Sequence, residues 1–102
     1  MFHKIVQVNP TDDYRVYLYF TDGKVKLFDA CELITHGIFQ QLNDIERFKE
    51  TCTVLNGTLA WDVNGTRDPS KCLDLDSESL YETCPEVDEP KSKYLYLDIK
   101  KD

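Results

Sequence analysis

Basic charge is scarce in this chain. Twelve lysines and arginines stand against nineteen aspartates and glutamates, a net charge of −7. A surface of that sign repels phosphate backbones and anionic lipid, so neither nucleic acid nor a membrane is expected as a direct partner. Long apolar runs are also missing: the longest are a few residues, against the ~20 that cross a bilayer. The start, Met1-Phe2-His3-Lys4, passes directly into an alternating pattern with no leader-like segment, so the expected location is the cytoplasm. The four glycines stand singly, which excludes a glycine-rich phosphate loop. No G-x-S-x-G elbow or catalytic-cysteine signature occurs, and His3 and His36 read as surface residues at a strand start and in a polar turn. No enzyme, cofactor or metal is expected from these residues.

Cysteines are present but unpaired in pattern. Cys31, Cys52, Cys72 and Cys84 have 20, 19 and 11 residues between them, with no C-x-x-C pair and no histidine near any of them in sequence. Zinc sites show close pairs, and in a cytoplasmic protein disulfides are rare. Four reduced thiols acting as small apolar side chains are the expectation.

What is there is one domain. At 102 residues, with 41% hydrophobic residues and twelve Phe, Tyr and Trp, the chain can build a single core. Lys4 to Val8 alternates as a first strand. Tyr14 to Phe28 reads as a hairpin about Asp22-Gly23, a dipeptide suited to a two-residue type I′ turn. That register pairs Phe20 with Val25 and Leu18 with Leu27 on the core face, and leaves Arg15, Tyr17, Tyr19, Lys26 and Phe28 on the other. Phe39, Leu42, Ile45 and Phe48 recur every three residues, which predicts two short helices broken at Asn43-Asp44, with Asn43 as cap. Asn56-Gly57 marks a second hairpin centred on Trp61, which should be buried. Cys72 to Leu75 suggests a short strand, and Asp76 caps a helix over residues 77–82. The fold expected is α+β: a small single domain over residues 1–84, a mainly antiparallel sheet built from hairpins with short helices packed on it. Residues 85–102 form a charged C-terminal tail in which Tyr94 to Ile99 could add an edge strand.

Acidic charge is focused between Asp62 and Glu89, where nine acids face only Arg67 and Lys71. Asp74-Leu75-Asp76-Ser77-Glu78 alternates like a calcium loop, but Ser79 stands at the glycine position and Pro85 at the twelfth. Helix capping by Asp76 accounts for the acids without a metal. The candidate partner-binding residues are Arg15, Tyr17, Tyr19, Lys26, Asp62, Asp68, Asp74 and Glu86. A small-ligand, metal or enzymatic site would instead draw on Asp62, Asp74 and Asp76 near Trp61.

Taken together, Asp22-Gly23-Lys24-Val25 with Phe28-Asp29, Phe39 to Asp44 with Phe48, Gly57 to Trp61, and Asp74-Leu75-Asp76 with Leu80-Tyr81-Glu82 resemble a small bacterial domain family of unknown function, numbered 2442, over residues 3–84. The resemblance implies a small α+β fold, sometimes followed by a helix-turn-helix, for which residues 85–102 are too short and too charged. It also implies a protein partner, since such genes stand beside those of another small family, numbered 4160, in pairs that look like toxin and antitoxin. The expected function is binding of another small protein, a basic one being the complementary choice, as the antitoxin-like member of a pair. The alternatives are the ligand, metal or enzymatic site above, and a stand-alone sensor related to a transcription regulator.

Overall fold

Two hairpins of different geometry organise the molecule, whose computed structural model describes residues 3–68 and 72–88. Strands β1 (Ile5–Pro10), β2 (Arg15–Phe20) and β3 (Val25–Asp29) form one antiparallel sheet. Strands β4 (Cys52–Leu55), β5 (Thr58–Trp61) and β6 (Leu73–Asp74) form another. Between the sheets in sequence lie two 3-10 turns, Leu33–Thr35 and Gly37–Leu42, and helix α1 (Ile45–Thr51). Helix α2 (Ser77–Thr83) follows β6. The architecture is α+β, with both sheets contributing to one core.

The second hairpin turns as its sequence predicts. Asn56 and Gly57 both take positive φ, 53° and 74°, and Leu55 faces Thr58 across a two-residue loop. A Cβ on Gly57 would also fall 2.5 Å from Lys4 Cδ, because β1 begins against this turn and the Ile5 amide donates to the Gly57 carbonyl at 2.8 Å.

The first hairpin does not. Only Gly23 has positive φ, 90°, while the Asp22 carboxylate accepts the Lys24 amide at 3.0 Å. The loop therefore holds three residues, Thr21-Asp22-Gly23, closed by the Phe20 amide on the Lys24 carbonyl at 3.0 Å. Tyr19 faces Val25 and Tyr17 faces Leu27, one residue out of the expected register. Because side chains alternate, this slip exchanges the faces of β3. Lys26 and Phe28 join Val16, Leu18 and Phe20 on the core side, and Val25 and Leu27 join Tyr17 and Tyr19 on the outer side. The expected surface of Arg15, Tyr17, Tyr19, Lys26 and Phe28 is corrected accordingly: Lys26 and Phe28 do not belong to it.

The three-residue spacing of Phe39 and Leu42 is met by a 3-10 turn, which has three residues per turn and so places both on one side. Helix α1 then starts one residue later than the sequence suggests. Asp44 is its cap, accepting the Glu46 amide at 3.0 Å, while Asn43 closes the preceding 3-10 turn. Asp76 caps α2 as expected, accepting the Ser79 amide at 3.1 Å. Past α2, Leu27 donates to the Pro85 carbonyl at 3.1 Å and Val87 to the Val25 carbonyl at 2.9 Å, so residues 85–87 run antiparallel along the free edge of β3. The edge strand suggested over Tyr94 to Ile99 lies outside the described residues.

Trp61 is fully buried, with Phe39 edge-on at 6.1 Å and Phe48 tilted at 5.8 Å between ring centroids. Its indole Nε1–H has no acceptor among the described residues, a cost of about 1–3 kcal/mol set against the larger gain from burying the ring. Trp61→Ala should lower stability by about 3–5 kcal/mol in denaturant titration; a change below about 1 kcal/mol would show that the core closes over the gap.

Candidate functional site

The outer face of the first sheet carries Tyr17, Tyr19, Val25 and Leu27, all half-buried and none belonging to the core or to the side chains packed on it. Alternation alone sets them there, opposite Val16, Leu18 and Phe20. The Tyr19 hydroxyl accepts from Asn9 Nδ2 at 3.2 Å. Arg15 lies at the end of this face, in exposed ion pairs with Asp13 at 3.6 Å and Asp29 at 3.9 Å. Such pairs contribute little by themselves.

Lys26, on the other face, is committed to structure. Its Nζ lies 4.4 Å from the centre of the Tyr81 ring and donates to the Cys84 carbonyl at 3.4 Å. The same Tyr81 ring stacks on His3 at 3.6 Å and takes the edge of Phe20 at 5.0 Å, and its hydroxyl donates to Asp22 at 2.6 Å. This cluster fixes α2 against the first hairpin loop and the start of β1. Tyr81's hydrogen bond to Asp22, together with burial, pushes the tyrosine pKa up to about 12, while the same bond and the Lys24 amide lower that of Asp22. Glu78 is lowered through its bond to His3, and Asp29 through the Cys31 amide.

The described acids of the 62–89 segment lie in several different parts of the fold. Asp62 accepts the Arg67 amide at 2.9 Å and lies 3.5 Å from Cys72 Sγ, in the register that continues the β5–β6 pairing. Asp68 is half-buried, with its carbonyl accepting from Cys72 Sγ at 3.3 Å. Asp74 is exposed on β6, Asp76 is occupied as the α2 cap, and Glu86 pairs with Lys24 at 3.5 Å. No group of three or more potential metal ligands occurs among the described residues. Asp62 and Asp76 are thus drawn into separate local contacts, while Asp74 borders a shallow depression with Asp76.

The cysteines offer no activated thiolate. All four are free. Burial pushes Cys52 up to about 12 and also raises Cys72 and Cys84, while the Asp29 carboxylate raises Cys31. Nucleophilic thiols need the opposite shift. Cys84 is in the core, but Cys31 is exposed, its thiol donating to the Asp13 carbonyl at 3.4 Å.

One concavity was not legible in the sequence. A cleft of about 490 Å³ opens where the end of β3, the first 3-10 turn and α2 meet. Phe28, Leu33, Leu75 and Leu80 make its apolar floor, and Asp29, Glu32, His36, Asp76 and Ser79 its rim. These residues come from three separate stretches, and Phe28 enters only through the register slip, so no local motif could have announced them.

Two hairpin sheets sharing a core, an aromatic outer face and an acid-rimmed cleft define a small acidic α+β domain. Residues 5–86 match the family described as Protein of unknown function (DUF2442), and the chain belongs to that family. None of the curated proteins and no solved structure matches it. No helix among the described residues is long and apolar enough to cross a membrane.

The Asp22–Tyr81 bond gives a pH signature of definite sign. A depressed carboxylate stabilises the fold above its ordinary value of ~4 and loses that contribution as pH falls through its lower folded value. The raised tyrosine stabilises below ~10 and loses its contribution as pH rises through about 12. Asp22→Asn should flatten the acid limb of the stability profile and return one tyrosine toward ~10 in ultraviolet difference titration. A tyrosine titration identical in the variant and the wild type would contradict the assignment.

Proposed function

We propose that the protein is a non-enzymatic cytoplasmic binding module for another small, basic protein, acting as the antitoxin-like member of a pair. The observation that carries this reading is the outer sheet face, where Tyr17, Tyr19, Val25 and Leu27 lie together outside the core. Aromatic side chains presented with aliphatic neighbours on a rigid sheet are the composition of interface centres, where they supply large contact area at small entropic cost. The net charge of −7 favours a basic partner, because complementary charge speeds encounter and rejects wrong partners. Arg15 at the edge of the face is held by Asp13 and Asp29, so a cation there does not oppose a basic partner unscreened.

Affinity capture from the native host, followed by titration of the purified captured protein, tests the reading. Wild type should hold a stoichiometric basic protein with an association rate that falls as salt rises. Leu27→Lys should weaken it by at least about tenfold with a near-normal melting temperature. Capture of no stoichiometric protein, or equal affinity in the folded variant, would refute it.

A further inference from the structure

The acid-rimmed cleft is not an isolated hollow. Beside it lies a second depression of about 560 Å³, lined by Asp29, Cys31, Glu32 and Thr35, and the two share Asp29 and Glu32. Together they make a trough along the first 3-10 turn, apolar at the α2 end and polar at the other.

Its chemistry is one-sided. Asp29 and Glu32 border both parts and Asp76 stands at the α2 end, and among the described residues no lysine or arginine lines either depression, with His36 the one imidazole on the rim. Arg15 lies 3.9 Å from Asp29 across the strand end. The floor is rigid at its base, since Leu80 is buried in the core and Phe28 is packed against it. A small apolar molecule would fill the floor and leave the negative rim unmatched, and a simple cation would leave the floor wet. A chain segment that alternates the two kinds of group satisfies both.

We propose that this trough takes an extended basic segment of a protein partner, seating a leucine-sized side chain on Phe28, Leu33 and Leu80 while lysines or arginines lie against Asp29, Glu32 and Asp76. The assignment rests on the protein-binding reading and adds a second contact to the sheet face. The two depressions share Asp29 and Glu32, so a segment seated on the apolar floor can continue past Cys31 and Thr35, where a single small ligand would stop. Burial of one leucine-sized group, with cations at a partly desolvated rim, suits a weak contact that gains strength when linked to another.

The probe is a fluorescent eight-residue peptide with two central leucines flanked by lysine and arginine, titrated against the full chain. Two control peptides replace the leucines by serine or the basic residues by glutamine. The expected dissociation constant is about 10–100 μM at low salt, with each control weakened by at least about tenfold. Glu32 is exposed and its side chain caps nothing, so Glu32→Lys should keep the melting temperature and lose peptide affinity by at least about tenfold. Leu33→Gln should lose it similarly, and amide shift changes should centre on Leu33, Ser79 and Leu80. Equal binding of the serine peptide would reduce the effect to bulk charge and overturn the proposal. So would unchanged affinity in Glu32→Lys, or no binding below about 1 mM. Tyr17→Ala should leave peptide affinity unchanged while weakening the whole partner. A failed peptide titration beside a partner still sensitive to Leu27→Lys would therefore remove the trough and leave the sheet face standing.

Discussion

The burial of Trp61 is the constraint on which the rest of the structure depends. Its strand pairs it with Cys52 on one side and Leu73 on the other, and its ring meets Phe39 from the second 3-10 turn and Phe48 from α1. Five elements, its own strand included, thereby meet at one residue. Aromatic contacts of this kind add about 0.5–1.5 kcal/mol beyond the area they bury. The indole N–H finds no acceptor among the described residues, which indicates that shape, rather than polar satisfaction, fixes the ring's position. A 102-residue chain has few such anchors to spare, and Trp61 and Phe48 are the largest of its fully buried side chains.

What could be read from the sequence follows from how local each determinant is. The Asn56-Gly57 turn, the break between Leu42 and Ile45, the Asp76 cap and the burial of Trp61 each depend on a few adjacent residues, and each is found. The Asp22-Gly23 turn looks equally local and is not. Asparagine readily enters the left-handed region, and Asn56 does so. Asp22 has a better use for its carboxylate, which binds the Lys24 amide and the Tyr81 hydroxyl. Tyr81 lies on α2, 59 residues away in sequence. A tertiary contact accompanies the local turn choice, and no pattern confined to residues 14–28 contains it. The cleft was hidden for the same reason, since its floor is assembled by that register.

Several of the acids have local structural roles. Asp44 and Asp76 cap helices, Asp62 closes the loop after β5, and Asp29 bends the chain into the first 3-10 turn, whereas Glu78 holds His3 from 75 residues away. A run of nine acids against two bases read linearly suggests one negative patch. Folded, its described members are spread along the β5–β6 loop, β6, α2 and the segment beside the edge of β3. Negative potential survives as a general property of the surface, whereas directed recognition falls to places where carboxylates border an apolar floor. That distinction separates charge that steers from charge that specifies.

The register of the first hairpin therefore decides both surfaces at once. With a two-residue loop, Val25 and Leu27 would face the core and Phe28 would lie outside, so the outer sheet face would carry Lys26 between its tyrosines and the cleft would lose part of its floor. The observed three-residue loop turns Lys26 inward, a cost in desolvation that the Tyr81 ring and the Cys84 carbonyl offset. In return, Val25 and Leu27 complete an apolar outer face, and Phe28 reaches the α2 side. The same residue that sets this register, Asp22, also anchors α2 through Tyr81, so turn geometry, helix position and both faces are coupled through one carboxylate. A fold in which the local turn and the distant helix satisfy the same side chain has little freedom to slip, which is what a sheet presenting different chemistry on its two faces requires.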